Sequence, residues 1–166
     1  MNSKELYAIC EEIVQMLEIN NWSIATAESC TAGLIAGTLV DVPGASNVFN
    51  EGYITYSNDA KIKLARVHPE TLELHGAVSE EVAMEMAKGA ALAAFAHVGV
   101  SATGIAGPQG GTVEKPVGLV YIGCYIGGHQ SVLKCNFSGN RRENRLATVS
   151  SALELVRDEM KAQLKA

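Results

Sequence analysis

The sequence predicts a single-domain, three-layer α/β/α sandwich with a mixed sheet, and three observations support this fold class. Segments whose apolar residues recur at helical spacing alternate with short apolar segments typical of strands along most of the chain, as in α/β domains. The last two predicted strands are joined by Gly127-Gly128, which suits a two-residue hairpin and places an antiparallel pair in the sheet. Both faces of this hairpin are largely apolar, so we expect helices on both sides of the sheet.

The first half of the chain alternates between helix and strand signals. Apolar residues of the first segment recur at three- and four-residue steps, Pro43-Gly44 ends the second helix, and Ser57 or Asn58 can cap the third. The expected elements are a helix from Ser3 to Asn20, a strand over 22–27, a helix over 29–40, a strand over 48–56, and short helices after residue 57 and over 69–76.

The second half begins with an alanine-rich helix that Ser79 can cap, expected over 80–97, and a strand over 98–103. A glycine-rich loop leads to hairpin strands over 117–126 and 129–137, whose facing residues should have numbers that sum to 255. This register places Cys135 opposite Val120 rather than Cys124, which argues against a disulfide. The last helix, over 140–164, is expected to align six apolar residues on one side: Leu146, Val149, Leu153, Val156, Met160 and Leu164.

Length and composition limit the possible classes of protein. All 166 residues are expected to form one domain, and 48% hydrophobic against 19% charged residues is not the composition of a disordered chain. No apolar run reaches the roughly 18 residues of a membrane span, and the glutamate-containing first helix does not resemble a secretory signal. Four cysteines without a C-x-x-C motif predict free thiols in a reducing, cytoplasmic setting.

Charge and histidine spacing argue against two further classes. The net charge of −5 is unfavourable for a nucleic-acid binder, so we expect no nucleic-acid partner. The four histidines show no metal-ligand spacing, so no metal is expected. The basic excess lies in residues 140–166, where Arg141, Arg142 and Arg145 open the last helix against its dipole. These arginines either bind an anionic ligand or form a solvated patch partly paired with Glu143.

The segment TAESCTAG, residues 26–33, is the first candidate for chemistry. A strand ends there and small, hydroxylic residues start the next helix, a geometry that suits an anion or a developing oxyanion. Ser29 or Cys30 can act as the nucleophile. The alternative is that Ser29 or Thr31 only caps the helix and Cys30 fills the core.

Two further segments can complete such a site. Lys61 lies just inside a predicted helix start, where the helix dipole lowers the pKa of a lysine toward the value that a general base needs. Tyr56 can relay the proton. The alternative is a solvated lysine beside a core tyrosine. The loop TGIAGPQGGT, residues 103–112, follows a strand and lets backbone N–H groups approach a ligand closely, unless it is only a crossover loop.

Five segments together resemble the C-terminal domain of CinA, the competence/damage-inducible protein family: TAESCTAG, YITYSNDAK, GAVSEEVAMEMAKGA, ATGIAGPQGGTVEKPVGLVYI and FSGNRRENR. The resemblance covers residues 22–155. Its stand-alone members resemble nicotinamide-mononucleotide deamidases, which implies hydrolysis of the nucleotide's amide to nicotinate mononucleotide and ammonia. The family commonly has glycine where this chain has Ala32, and aspartate where it has Asn140.

The resemblance implies a serine, a tyrosine and a lysine as catalytic residues, which fall on Ser29, Tyr56 and Lys61. It implies a small-molecule nucleotide as substrate, without cofactor or metal, and we expect a homodimer. The residues expected to line the substrate site come from the segments 26–33 and 103–112 and from the arginine cluster: Glu28, Cys30, Thr31, Thr103, Gly104, Gly107, Gly111, Arg141 and Arg145. The alternative function is a nucleotide- or phosphate-binding module without turnover.

Overall fold

The computed structural model describes residues 3–165, which form six α-helices and one five-stranded sheet. The helices are α1 (Ser3–Ile19), α2 (Leu34–Leu39), α3 (Asn58–Ala65), α4 (Pro69–His75), α5 (Glu80–Ala93) and α6 (Arg141–Gln163). The strands are β1 (Ile24–Glu28), β2 (Phe49–Ile54), β3 (Val98–Gly104), β4 (Leu119–Ile126) and β5 (His129–Asn136).

The sheet is mixed and has the strand order β2-β1-β3-β4-β5. Strands β2, β1 and β3 are parallel, whereas β3, β4 and β5 pair antiparallel. Helices α1, α2 and α6 pack on one face and α3, α4 and α5 form the layer on the other. The predicted three-layer α/β/α sandwich with a mixed sheet is confirmed.

Close helix-on-sheet packing explains why α5 is rich in alanine and faces glycines. A Cβ atom at Gly99 would lie 2.0 Å from the carbonyl oxygen of Ala87, and one at Gly123 would lie 2.3 Å from that of Ala83. Both approaches are far below van der Waals contact, so α5 reaches this depth only because the sheet has no side chain there. Ser79 caps α5 as predicted, accepting from the N–H of Val82.

The hairpin register is confirmed. Ile126 pairs with His129 and Val120 pairs with Cys135, so the facing numbers sum to 255, and all four cysteines are free. The expectation that helices cover both faces of the hairpin is only partly right. Strand β5 is the edge of the sheet, and five of its eight residues are exposed.

Three helix predictions need correction. The helix expected over 29–40 begins only at Leu34, and α5 ends at Ala93 rather than at residue 97. In α6, Leu146 and Leu164 are 46% and 40% exposed, although the sequence predicts that they share one side of the helix with the four apolar residues that are buried. The buried residues of α6 include two polar ones, Asn144 and Thr148, beside five apolar ones: Val149, Ala152, Leu153, Val156 and Met160. The buried face of α6 that the apolar residues alone predict is therefore turned slightly around the helix axis from the observed buried face.

Candidate active site

The candidate site lies at the edge of the sheet where the parallel strands end. Ser29 directly follows β1 and Thr55 directly follows β2, and their N–H groups donate to the carbonyls of Ala102 in β3 and Glu28 in β1, at 2.9 and 2.8 Å. Carboxyl ends of parallel strands are where open α/β sheets bind ligands. The topology therefore brings the segments after β1, β2 and β3 together, although they are far apart in sequence.

Ser29 and Lys61 are in direct contact. The Lys61 Nζ lies 3.0 Å from the Ser29 Oγ and donates to the carbonyl oxygen of Thr55 at 2.8 Å. Lys61 is only 2% exposed. Ser57 caps α3, accepting from the N–H of Ala60, and so sets the helix start that directs Lys61 inward. The solvated-lysine alternative is therefore wrong for this residue.

Burial makes Lys61 suitable as a base. Removing the ammonium from water lowers the pKa of Lys61 below its ordinary value of 10.5, while the neighbouring Cys30 raises it to a lesser extent. The direction is the one that the sequence predicts. The principal cause differs, because desolvation rather than the helix dipole dominates.

Cys30 lies in the same cavity as Ser29 but is poorly suited to attack. It is buried, and burial raises the pKa of its thiol to about 11. The thiolate is the nucleophilic form of cysteine, so a thiol with this pKa is almost entirely unreactive at neutral pH. Of the two adjacent candidates, Ser29 is therefore the better nucleophile.

A tight turn, not a helix, follows the nucleophile. Ala32 and Gly33 have φ angles of 49° and 92°, in the left-handed region. Glycine adopts this region without strain, which fits the family's preference for glycine at the position of Ala32. The turn leaves the N–H groups of Cys30, Thr31 and Ala32 without a hydrogen-bond acceptor among residues 3–165.

Glu28 occupies the start of α2. One carboxylate oxygen accepts from the N–H groups of Gly33 and Ile35 at 2.9 and 3.0 Å, and the other accepts from Ala36 at 2.9 Å. Glu28 is 1% exposed. The expectation that the helix start binds the substrate's oxyanion is therefore wrong for these three donors, because the chain's own carboxylate satisfies them.

We expect Glu28→Gln to destabilise the fold. The amide NH₂ of glutamine would face a backbone N–H in place of an oxygen, and the charge-assisted bonds at the helix start would be lost. The free energy of unfolding should fall by about 1.5–3 kcal/mol, the range for hydrogen bonds to charged groups. Urea denaturation of the variant and of Glu114→Gln, an exposed loop control, checks this. Equal stability of the two variants would contradict the structural role of Glu28.

The first turns of α6 hold the two loops of the site. Arg145 donates from Nε and Nη2 to the carbonyls of Cys30 and Thr31, both at 2.9 Å. Asn144 accepts from the N–H of Gly139 and donates to the carbonyl of Ala106, both at 3.0 Å. These side chains connect the turn after the nucleophile to the glycine-rich loop. Arg145 is thereby a positioning residue for the turn, although the sequence suggests a substrate contact.

Arg141 and Tyr56 form the outer wall of the site. Arg141 donates to the carbonyl of Gly107 at 2.9 Å and to the hydroxyl of Tyr56 at 3.0 Å. Tyr56 is 60% exposed, and within residues 3–165 its hydroxyl makes no hydrogen bond to Ser29 or Lys61. The structure thus brings Ser29 and Lys61 into contact and places Tyr56 nearby.

A cavity of about 220 Å³ collects most of the residues that the sequence predicts for the site. Its lining includes seven of them: Ser29, Cys30, Tyr56, Lys61, Thr103, Gly104 and Arg141. The other five lie outside the lining: Glu28, Thr31, Gly107, Gly111 and Arg145. Gly111 faces the loop's own chain, since a Cβ there would lie 2.7 Å from the backbone nitrogen of Val117.

Several site residues are absent from the sequence-based predictions. Asn58, Ala77 and Val78 also line the cavity, and the Thr103 hydroxyl donates to the carbonyl of Ala77 at 2.7 Å. Backbone walls of this kind have no sequence signal. Asn144 does have one, because it is a polar residue on the otherwise largely apolar buried face of α6.

The part of the chain that the structure describes has neither a metal-binding cluster nor a membrane-spanning helix. No group of three or more His, Cys, Asp and Glu side chains within residues 3–165 is arranged to hold a metal ion. In the same range, no helix combines the length and the apolar character needed to cross a bilayer.

Comparison with known proteins identifies relatives over nearly the whole chain. Competence-damage inducible proteins of Clostridium botulinum (strain Loch Maree / Type A3) and Alkaliphilus metalliredigens are 54% and 51% identical over 147 and 150 residues, or 89% and 90% of this chain. The chain spans only 36% of the length of each of these curated relatives.

Solved structures show the same fold. The competence/damage inducible protein CihA of Agrobacterium tumefaciens has a TM-score of 0.89 at 40% identity, covering 94% of both chains. A CinA-superfamily protein of Klebsiella pneumoniae has a TM-score of 0.90 at 28% identity, covering 98% of this chain and 99% of its own. The family model of the CinA C-terminal domain matches residues 6–160. The chain therefore belongs to the CinA C-terminal domain family.

Proposed function

We propose that this chain is an amidohydrolase that converts nicotinamide mononucleotide to nicotinate mononucleotide and ammonia. The observation that supports a hydrolytic function is the contact between the Ser29 Oγ and the Nζ of the buried Lys61 at 3.0 Å. A ligand-binding module without turnover has no need for a buried lysine beside a serine, because burial of an amine is costly. The nucleotide substrate follows from the family resemblance.

Lys61 is the base in this proposal. A neutral amine has two N–H groups and one lone pair, and Thr55 accepts from one N–H. The lone pair is then free to take the proton of the Ser29 hydroxyl as the Oγ attacks the amide carbon. A tetrahedral intermediate forms, and its oxyanion needs hydrogen-bond donors.

The turn after Ser29 supplies those donors. Because Arg145 binds the carbonyls of Cys30 and Thr31, and a trans peptide places N–H and C=O on opposite sides, the N–H groups of Thr31 and Ala32 point away from Arg145. We assign the oxyanion to these N–H groups and that of Cys30. The N–H of Ser29 itself is taken by Ala102.

The remaining steps return the enzyme to its starting state. The C–N bond breaks as the Lys61 ammonium returns its proton to the leaving nitrogen, which departs as ammonia. Water, deprotonated by Lys61, then attacks the ester between Ser29 and the nicotinate nucleotide, and the Lys61 ammonium passes that proton to the Ser29 Oγ as the ester bond breaks. Tyr56, at the cavity wall and bonded to Arg141, contacts the pyridine nucleotide or assists the proton transfer.

Ammonia release tests the proposal directly. The purified chain, incubated with nicotinamide mononucleotide, should release ammonia and nicotinate mononucleotide in equal amounts. Ser29→Ala, prepared identically, serves as the control for contaminating amidases. Equal release by the two preparations, or none by either, would contradict the proposed function.

A further inference from the structure

A second cavity, of about 670 Å³, adjoins the one that contains Ser29. The two share Ala106 and Arg141 as lining residues, so one ligand can extend from one to the other. Pro108 and Val117 of the glycine-rich loop form an apolar wall, and the start of α6 forms the opposite side. A ligand with its amide at Ser29 therefore has room for a further group beside α6.

The second cavity is positively charged. Arg141, Arg142 and Arg145 line it, and its lining contains no carboxylate, although the whole chain has a net charge of −5. The sequence leaves open that Glu143 pairs with these arginines. Glu143 instead accepts from the N–H of Asn140 at 2.8 Å as part of a capping box, and within residues 3–165 it forms no ion pair with them.

The three arginines differ in how many of their donors are free. Arg145 uses Nε and Nη2, and Arg141 uses Nη1 and Nη2, for protein oxygens. Arg142 is exposed, and its guanidinium makes no hydrogen bond or ion pair within residues 3–165. A cation in the first turn of a helix is unfavourable toward the helix dipole. Arg142 thus has all five donors available and lies where an anion would relieve its electrostatic cost.

We propose that this second cavity binds the phosphate monoester of the substrate and that Arg142 is the residue that holds it. The inference rests on the proposed function, because that function supplies the amide at Ser29. Two backbone donors at the start of α6 are already taken, since the Asn140 side chain accepts from the N–H groups of Arg142 and Glu143 at 2.9 and 3.1 Å. The planar guanidinium suits two phosphate oxygens at once.

Binding of a nucleotide and of its nucleoside, measured by calorimetry, separates the phosphate contact from all others. Both nicotinamide mononucleotide and nicotinamide riboside are titrated into Ser29→Ala, which cannot turn them over, with and without Arg142→Ala. We expect Arg142→Ala to weaken the nucleotide roughly 10-fold and the riboside less than twofold. This expected loss of affinity is at the lower end of what a hydrogen bond to a charged group contributes, because Arg142 is exposed.

Three further variants control for other effects. Arg157→Ala removes the same charge from the same helix about 22 Å away, and it should change neither affinity. Arg142→Lys should recover only part of the nucleotide affinity. Arg145→Ala should weaken the nucleotide and the riboside alike, because it disturbs the turn rather than a phosphate contact.

The outcomes distinguish this inference from the proposed function. Equal loss of both ligands in Arg142→Ala, no loss of either, or failure of the nucleotide to bind Ser29→Ala overturns the phosphate site. Arg142→Ala can weaken the affinity for the nucleotide alone while the unaltered chain, which retains Ser29, releases no ammonia. That result supports the phosphate site and overturns the hydrolytic function. Competition by inorganic phosphate against the nucleotide, absent in Arg142→Ala, would support the same assignment.

Discussion

Ser29→Ala is expected to lower the turnover of nicotinamide mononucleotide by about three orders of magnitude or more. The acyl-enzyme route depends on the Oγ, and alanine has no atom that can form the ester. The neighbouring donors remain, so binding should change little while kcat falls. Steady-state ammonia release at saturating nucleotide, with thermal unfolding to show that the variant folds, measures the effect.

Cys30→Ala is the matched control, because Cys30 is the adjacent residue and lines the same cavity. Its buried thiol has a pKa raised to about 11, so we expect the variant to retain most of its activity. Full activity in Ser29→Ala, or loss of activity in Cys30→Ala without loss of stability, would contradict Ser29 as the nucleophile.

The chain's local patterns are enough to predict most of its elements and much of its site. Helix periodicity, the caps at Ser57 and Ser79, and the Gly127-Gly128 turn each depend on residues close in sequence, and the structure agrees with them. The sequence predicts Ser29, Tyr56 and Lys61 as one site because their segments resemble a known family. Sequence alone does not show the distance between Ser29 and Lys61, because it depends on how β1 and β2 pair.

What the sequence does not predict are the partners of each charged group. Glu28 and Arg145 fall within segments that resemble a substrate site, yet both hold backbone groups of the turn around Ser29. A charged side chain beside a site can bind a ligand or the protein itself, and residue type does not separate the two. Only tertiary structure shows that Arg142 has its donors free. The homodimer, which depends on surfaces of two chains, stays a prediction.

Lys61→Met should abolish most of the activity at every pH. Loss of a general base typically costs about 10²- to 10⁴-fold, and methionine fills the same buried space without a lone pair for the serine proton. In the unaltered chain, burial lowers the pKa of Lys61, so the neutral amine becomes populated at a lower pH than that of an ordinary lysine. The logarithm of kcat/KM should therefore rise with pH and level off before that value. A rise that continues to pH 10.5 would contradict Lys61 as the desolvated base.

The lowered pKa of Lys61 that favours catalysis also lowers the stability of the folded chain at pH values where Lys61 is charged. Between the pKa of Lys61 in the folded chain and its value near 10.5 in the unfolded chain, the unfolded state binds more protons, so the free energy of unfolding must rise with pH. Below the folded pKa the folded state carries the full cost of a buried charge, and above 10.5 none remains. Lys61→Met has no such group, so its stability should lack this component. Urea denaturation of both proteins from neutral pH up to pH 10.5 should therefore show the difference in unfolding free energy shifting toward the unaltered chain as pH rises. A difference independent of pH would mean that Lys61 keeps an ordinary pKa in the folded chain and is too weakly desolvated to act as the base.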